Sequence, residues 1–235
     1  MVKLSKELPF ARGGVRACYI DPRDPDRVIK VLQPGMHPGE RRARASLRKR
    51  LKPLSSFDDN ATELENVRWI ERKWGRVPLI PADFREEETD LGTGVSSQLF
   101  RDHDGRISRP LEIYLWQEGL SPAIKAAIEN FKREWQDLAI PTRSILLHNL
   151  VLVNSEKSST IKFVDDFGFP DFLKLAKWSP HLRRSKVRRR LALFQGKLET
   201  LIAIRDGGNP TLYGRFDKMI DSIEAFERLE RERGL

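Results

Sequence analysis

Hydrophobic positions follow two different periods along this chain, and the change from one to the other divides it. In LPFARGGVRACYIDPRDPDRVIKVL, residues 8–32, Arg16, Cys18 and Ile20 alternate with Val15, Ala17 and Tyr19. Alternation predicts strands, here two around a Gly turn and a DPRDPD turn. RVIKV then sets Val28 and Lys30 on one side of a strand and Ile29 and Val31 on the other. Helical spacing first appears in ATELENVRWIERKWG, where Leu64, Val67, Ile70 and Trp74 line up. Thr62 and Glu65 there have the spacing of a capping box, and Pro78 and Pro81 close the helix off. GTGVSSQLF and the turn RDHDGR read as a last strand leaving the first lobe.

From residue 121 the period is helical. Ser121 caps and Pro122 opens SPAIKAAIENFKREWQDL, whose Ile124, Ile128, Phe131, Trp135 and Leu138 trace one apolar face. NLVLV and TIKFV, joined by the polar NSEKSS, predict a hairpin, and two further helices follow over 178–204 and 217–235. The fold class expected is α+β with two lobes. Residues 1–103 form a small antiparallel β lobe with one helix, and residues 104–235 form a helical lobe that carries the hairpin.

Composition adds a constraint on partners. The 235 residues carry a net charge of +9, which favours an anionic partner: nucleotide, nucleic acid, phospholipid headgroup or acidic protein. Cys18 is the single cysteine, so an internal disulfide and a multi-cysteine metal site are excluded. The opening residues lack the apolar core of a signal peptide, and no run approaches the roughly 18 apolar residues of a membrane span. A cytoplasmic location is expected. Basic residues concentrate in two segments, 41–52 and 177–190. The first reads as a solvated helix, a mobile insert or an anion-binding surface, and the second as a basic solvated helix or a docking surface for an acidic partner. In the second, helical spacing groups Arg183, Lys186 and Arg190 on one face, away from Val187, Leu191 and Phe194.

The chemistry is carried by a few positions in a fixed order. Phosphoryl transfer from ATP needs a strand lysine at the phosphates, a helix glutamate to hold it, and an asparagine and an aspartate for the metal. Lys30 stands on a strand, and Glu63 or Glu65 lies one helix later. Asn149 begins the hairpin, 16 residues before Asp165, and Asp165 or Asp166 ends it. Mg2+ takes one or two carboxylates and fills its shell with phosphate oxygens and water, which suits this donor set. Gly13 and Gly14, in the first turn, join Lys30 and Glu63 as cofactor-binding candidates.

With these residues in place, the chain resembles the YrbL family of PhoP regulatory network proteins, within the wider protein-kinase-like fold. The similarity runs through RGGVRACYIDPRDPDRVIKV, ELENVRWI, GTGVSSQLFRDHDG, PTRSILLHNLVLV, VDDFGF and KWSPHLRR, in family order. It implies a nucleotide, ATP with Mg2+, in a cleft between lobes. It matches Lys30 to the phosphate lysine, Glu63 to its partner, Asn149 to the catalytic-loop asparagine and Asp165 to the metal aspartate of an Asp-x-x-Gly pattern ending at Gly168. The literal Asp-Phe-Gly elects Asp166 instead.

Ser144 falls where protein kinases keep the catalytic Asp. The Lys-Pro pair that the family has after that serine is replaced by Leu146 and Leu147. A serine orients an acceptor hydroxyl but does not deprotonate it at neutral pH. Two outcomes follow: a phosphotransferase of unknown protein or small-molecule acceptor, with Ser144, Asn149 and Asp165 as its catalytic residues, or a nucleotide-binding pseudokinase that regulates a partner. A basic nucleic-acid-binding protein is the third reading, without a supporting motif. His37, His103, His148 and His181 share no metal-ligand spacing, and the five tryptophans read as core or lobe-seam residues.

Overall fold

The computed structural model describes residues 1–167 and 179–233. Gly168, Lys177 and Trp178 lie outside the described residues. The N-terminal lobe is one antiparallel sheet built from β1 (Ala11–Arg12), β2 (Arg16–Asp21), β3 (Asp24–Leu32), β4 (Arg85–Thr89) and β5 (Gly92–Gln98), in the order β1-β2-β3-β5-β4. β3 is the central strand. Lys30 there stands opposite Cys18 of β2 and Val95 of β5. The short helices α1 (Pro38–Arg44) and α2 (Leu47–Arg50) carry the first basic segment, with Arg42, Arg44, Arg48, Lys49 and Arg50 exposed. α3 (Asp59–Trp74) then buries Glu63, Leu64, Val67 and Ile70.

The start of α3 differs from the sequence expectation. Asp58, not Thr62, is the N-cap: its carboxylate accepts from Asn60 N at 2.9 Å and Ala61 N at 3.1 Å. Thr62 N donates to Asp58 O, so Thr62 already lies within the first turn. A carboxylate at the cap both satisfies free N–H groups and meets the positive end of the helix dipole, which moves the start four residues upstream.

The second lobe contains α4 (Leu111–Gln117), α5 (Pro122–Leu138), the hairpin β6 (Leu150–Asn154) and β7 (Ser159–Phe163), α6 (Pro180–Arg205) and α7 (Phe216–Arg233). Ser121 Oγ accepts from Ile124 N at 3.3 Å, the expected cap of α5. Aromatic rings connect α5 to the hairpin and beyond it. Phe131 stacks on Trp135 at 5.6 Å, Trp135 meets Phe163 at 5.1 Å, Phe163 meets Phe167 at 5.2 Å, and Phe167 meets Phe84 at 5.8 Å. This two-lobed α+β arrangement is the one implied by the change of period. No helix among the described residues is long and apolar enough to cross a membrane.

The second basic segment is a correction. Arg183 is buried on the same line of α6 as Val187, Leu191 and Phe194, and its guanidinium lies 5.7 Å from the centre of the Trp74 ring. Arg183 and Val187 are four residues apart, one helical turn, so they share a face. The long aliphatic stem lets an arginine contribute to that face. Arg184, Arg188 and Arg189 remain exposed.

The cap assignment is testable by urea unfolding. Asp58→Ala should lower stability by about 1 kcal/mol, whereas Thr62→Ala should stay within about 0.5 kcal/mol of wild type. A loss of about 1 kcal/mol at Thr62→Ala with none at Asp58→Ala would return the cap to Thr62.

Candidate functional site in the interlobe cleft

The hairpin register decides what reaches the cleft. Leu150 pairs with Phe163 and Asn154 with Ser159, so the next pair outward is Asn149 with Val164. That pairing is closed by Val164 N donating to Asn149 O at 2.9 Å. Asn149 and Asp165, far apart in the chain, are thereby fixed one residue from each other across the mouth of the hairpin. The buried Phe167 ring then pins the segment to the core.

Lys30 reaches the same place from β3. Its Nζ donates to Glu63 Oε1 at 2.8 Å and to Val164 O at 2.7 Å, and stands 3.6 Å from Asp165 Oδ1. Glu63 therefore makes the ion pair on α3, while Glu65 is exposed. Lys30 and Glu63 are both buried. Taking two charges out of water is unfavourable unless each is paired and hydrogen-bonded, and here each has its partner.

Sequence reasoning missed Arg16. Its guanidinium bonds Glu63 through Nη1 and Asp165 through Nη2, and Nη1 also lies 3.4 Å from Asn60 Oδ1. Arg16 thus bridges the helix glutamate and the hairpin aspartate. A signal existed: Arg16 shares a strand face with Cys18, and Cys18 stands opposite Lys30. Burial opposes the charge of Asp165, but Arg16 and then Lys30 outweigh it and hold the carboxyl well below its ordinary range. For Arg16, burial is likewise outweighed, first by Asp165 and then by Glu63, and its pKa is raised. Cys18, in the same wall, is pushed up to about 11 by burial against the opposing pull of Lys30. It stays a thiol at neutral pH.

Asp165 and Asp166 diverge. Asp165 keeps 40% of its side-chain surface open to the cleft. Asp166 has φ 67°, a left-handed backbone that a non-glycine residue holds only under local constraint. Its Oδ2 accepts a hydrogen bond from Ser144 Oγ, and Arg143 Nη1 lies 3.8 Å from Oδ1. Burial raises the Asp166 pKa against the lowering effect of Ser144. The position without a carboxylate, Ser144, is therefore bonded to one.

These side chains line a cavity of about 410 Å3. Lys30, Asn149, Asp165 and Asp166 lie on its polar part, Val28, Leu99 and Ile107 on its apolar part, and the exposed Gly13 and Gly14 also line it. The buried Glu112 forms part of the lining, accepting from the Tyr213 hydroxyl at 2.8 Å with Arg215 Nη2 3.5 Å away. His148 Nδ1 stands 3.9 Å from Glu112, yet burial, followed by the charge of Arg215, lowers the imidazole to about 3 and keeps it neutral. His148 contributes packing and a polar contact. Among the described residues no group of three or more His, Cys, Asp and Glu could hold a metal.

The order strand lysine, helix glutamate, hairpin asparagine and aspartate is the order of parts in a protein kinase. Comparison with solved structures gives the Rio2 kinase–ADP/Mg2+–phosphoaspartate complex from Chaetomium thermophilum, with a TM-score of 0.41, 12% identity, and coverage of 95% of this chain and 70% of that one. It also gives the apo form of PpkA-294, with a TM-score of 0.43, 14% identity, and coverage of 93% and 88%. Among curated proteins, the uncharacterized protein YrbL of Escherichia coli K12 is 27% identical over 184 residues, covering 76% of this chain and 79% of its own length. The YrbL protein of Shigella flexneri matches with the same identity and coverage. A family model described as PhoP regulatory network protein YrbL matches residues 2–199. With most of its 235 residues under that match, the chain belongs to the YrbL family of PhoP regulatory network proteins.

Proposed function

We propose that the cleft binds a nucleoside triphosphate with Mg2+, ATP being the reference ligand. The observation that carries this reading is the buried Lys30–Glu63 ion pair standing 3.6 Å from an aspartate that opens onto the cavity. A lysine held by a helix carboxylate presents a fixed positive charge where phosphates would lie, without the entropy loss of ordering a free side chain.

The metal fits the donors present. Asp165 offers an open carboxylate, and no described residue hydrogen-bonds the Asn149 side-chain amide. Both are hard oxygen donors, and Mg2+ bound through one or two protein groups relies on phosphate oxygens for the rest of its shell. When bound, the ion neutralises phosphate charge. Arg16 then acquires a role of its own, because the guanidinium supplies that charge to Asp165 in the free protein. With the Asp165 carboxylate engaged by such an ion, Arg16 would be free to turn from it toward the phosphates beside Lys30. Gly13 and Gly14 let the backbone approach the ligand with no side chain between.

Phosphoryl transfer is the second reading, and the Ser144–Asp166 hydrogen bond favours it. It sets a carboxylate beside the position where kinases keep their base. In this reading Asp166 takes the proton of an acceptor hydroxyl as that oxygen bonds the γ-phosphorus and the bond to the β-phosphate oxygen breaks. Ser144 orients Asp166. Without such transfer the same site serves a nucleotide-binding regulator. The exposed arginines of α1 and α2 offer an acidic partner a docking face.

Two measurements test this. Thermal unfolding with Mg-ATP at about a hundredfold excess over Kd should show about 2.7 kcal/mol of stabilisation, or about 5–11 °C in Tm. Lys30→Ala and Asp165→Ala should weaken Mg-ATP binding at least about tenfold, the first by removing the cation that meets the phosphates and the second by removing a ligand for the ion. No response of the wild type at millimolar nucleotide contradicts the reading. For transfer, Asp166→Asn should reduce phosphate release from Mg-ATP by about 10²–10⁴ with affinity retained. Wild-type binding without any release assigns the site to regulation.

A further inference from the structure

α7 is absorbed neither by the phosphate site nor by the metal site, yet it lines the same cavity. Phe226 and Ser222 face the space that Lys30 and Asp165 share. Phe226 is only 3% exposed and Leu229 6%. Both pack with Phe10, Ile20, Val28 and Leu99 of the N-terminal lobe, and the Phe10 and Phe226 ring centres are 6.0 Å apart. Beneath them Ile107 and Ile113 of the second lobe complete the cluster. A helix at the far end of the chain thus crosses from one lobe to the other. It is fastened near its C-terminal end by Arg109 Nη2, which donates to both oxygens of Glu230, at 2.7 Å to Oε1.

The location of that cluster gives it meaning. Val28 precedes Lys30 by two residues, so both point from the same face of β3 about 7 Å apart along the strand. If phosphates bind at Lys30, the ribose and base extend toward the apolar end, where Val28, Leu99 and Ile107 form the walls. That end is where an uncharged planar ring gains from burial. In the free protein another planar ring, that of Phe226, already lies among those walls.

We infer that α7 is a built-in competitor for the base of the nucleotide, with Phe226 occupying the compartment the base must enter. The inference rests on the nucleotide reading of the cleft and adds a regulatory step to it. Admission of a nucleoside phosphate requires α7 to shift outward, so the observed affinity is the intrinsic one reduced by the fraction of molecules in which the compartment is open. A partner that captures α7 raises nucleotide affinity, and by reciprocity bound nucleotide exposes α7 to that partner. Ligands made of phosphate alone do not compete with Phe226.

Calorimetry with two probes tests this: the Mg complex of a non-hydrolysable ATP analogue, and Mg tripolyphosphate, which has the phosphates but no base. Phe226→Ala should bind the analogue at least about tenfold tighter than wild type, with tripolyphosphate affinity unchanged. Glu230→Gln, which weakens the Arg109 fastening and leaves the apolar contacts in place, should tighten the analogue in the same direction by a smaller factor. Analogue affinity equal to or below wild type in Phe226→Ala overturns the inference while leaving the phosphate site standing. Should Phe226→Ala fail to fold, Glu230→Gln decides by the same criterion. If wild type and variants ignore both probes, the nucleotide reading itself fails, and the competitor with it.

Discussion

The buried ion pair of Lys30 and Glu63 holds the two halves of the site in one geometry, because it ties the central strand of the sheet to α3 and, through Lys30 Nζ and Val164 O, to the hairpin of the other lobe. Arg16 doubles the connection by bonding Glu63 and Asp165 together. Two cations and two carboxylates balance there, three of them largely buried and the fourth, Asp165, partly open. Removing one member would leave an uncompensated buried charge, which is far more costly than the net gain of the intact pair. Such a cluster is poor as a device for stability alone. It is well suited to a site that exchanges internal partners for a charged ligand.

The rest of the molecule positions that cluster. The hairpin register sets Asn149 beside Asp165, and the ring sequence Trp135, Phe163, Phe167, Phe84 carries the rigidity of the helical core to the aspartates and on to the first lobe. α7 closes the opposite, apolar end. The cleft is therefore bounded by electrostatics on one side and by hydrophobic packing on the other. These two kinds of contact respond differently to salt and to mutation.

How much of this the sequence disclosed depended on the range of each signal. Lys30 stood out as a candidate only in company, because an apolar-flanked lysine on a strand is usually an edge residue and gained weight from the Glu, Asn and Asp that follow it in order. The hairpin and α5 were legible because alternation and a Ser-Pro cap are local. The choice between Glu63 and Glu65 was not, since residues two apart on a helix face nearly opposite ways and only packing against β3 fixes the phase. Neighbouring Asp165 and Asp166 posed the same difficulty: their side chains part only in three dimensions, Asp165 beside Lys30 and Arg16, and Asp166, on a left-handed backbone, against Ser144. β4, reading REEET, has no apolar alternation because it is a charged edge strand, and α4 has five consecutive buried residues that hide its period. Arg183 was misread as solvated because its stem packs with the core. Arg16 and Phe226 act through contacts more than a hundred residues away in sequence, to Asp165 and to Phe10, and no window along the chain contains them.

The central claim is that one Lys30-centred cleft receives the phosphates of a nucleotide. The most direct measurement is a crystal structure of the protein with Mg2+ and a non-hydrolysable triphosphate. The account predicts phosphate oxygens within hydrogen-bond distance of Lys30 Nζ, the ion on Asp165, the Lys30–Glu63 pair intact and the Arg16–Asp165 contact broken. Phosphates bound elsewhere, with Arg16 still seated on Asp165, would contradict it.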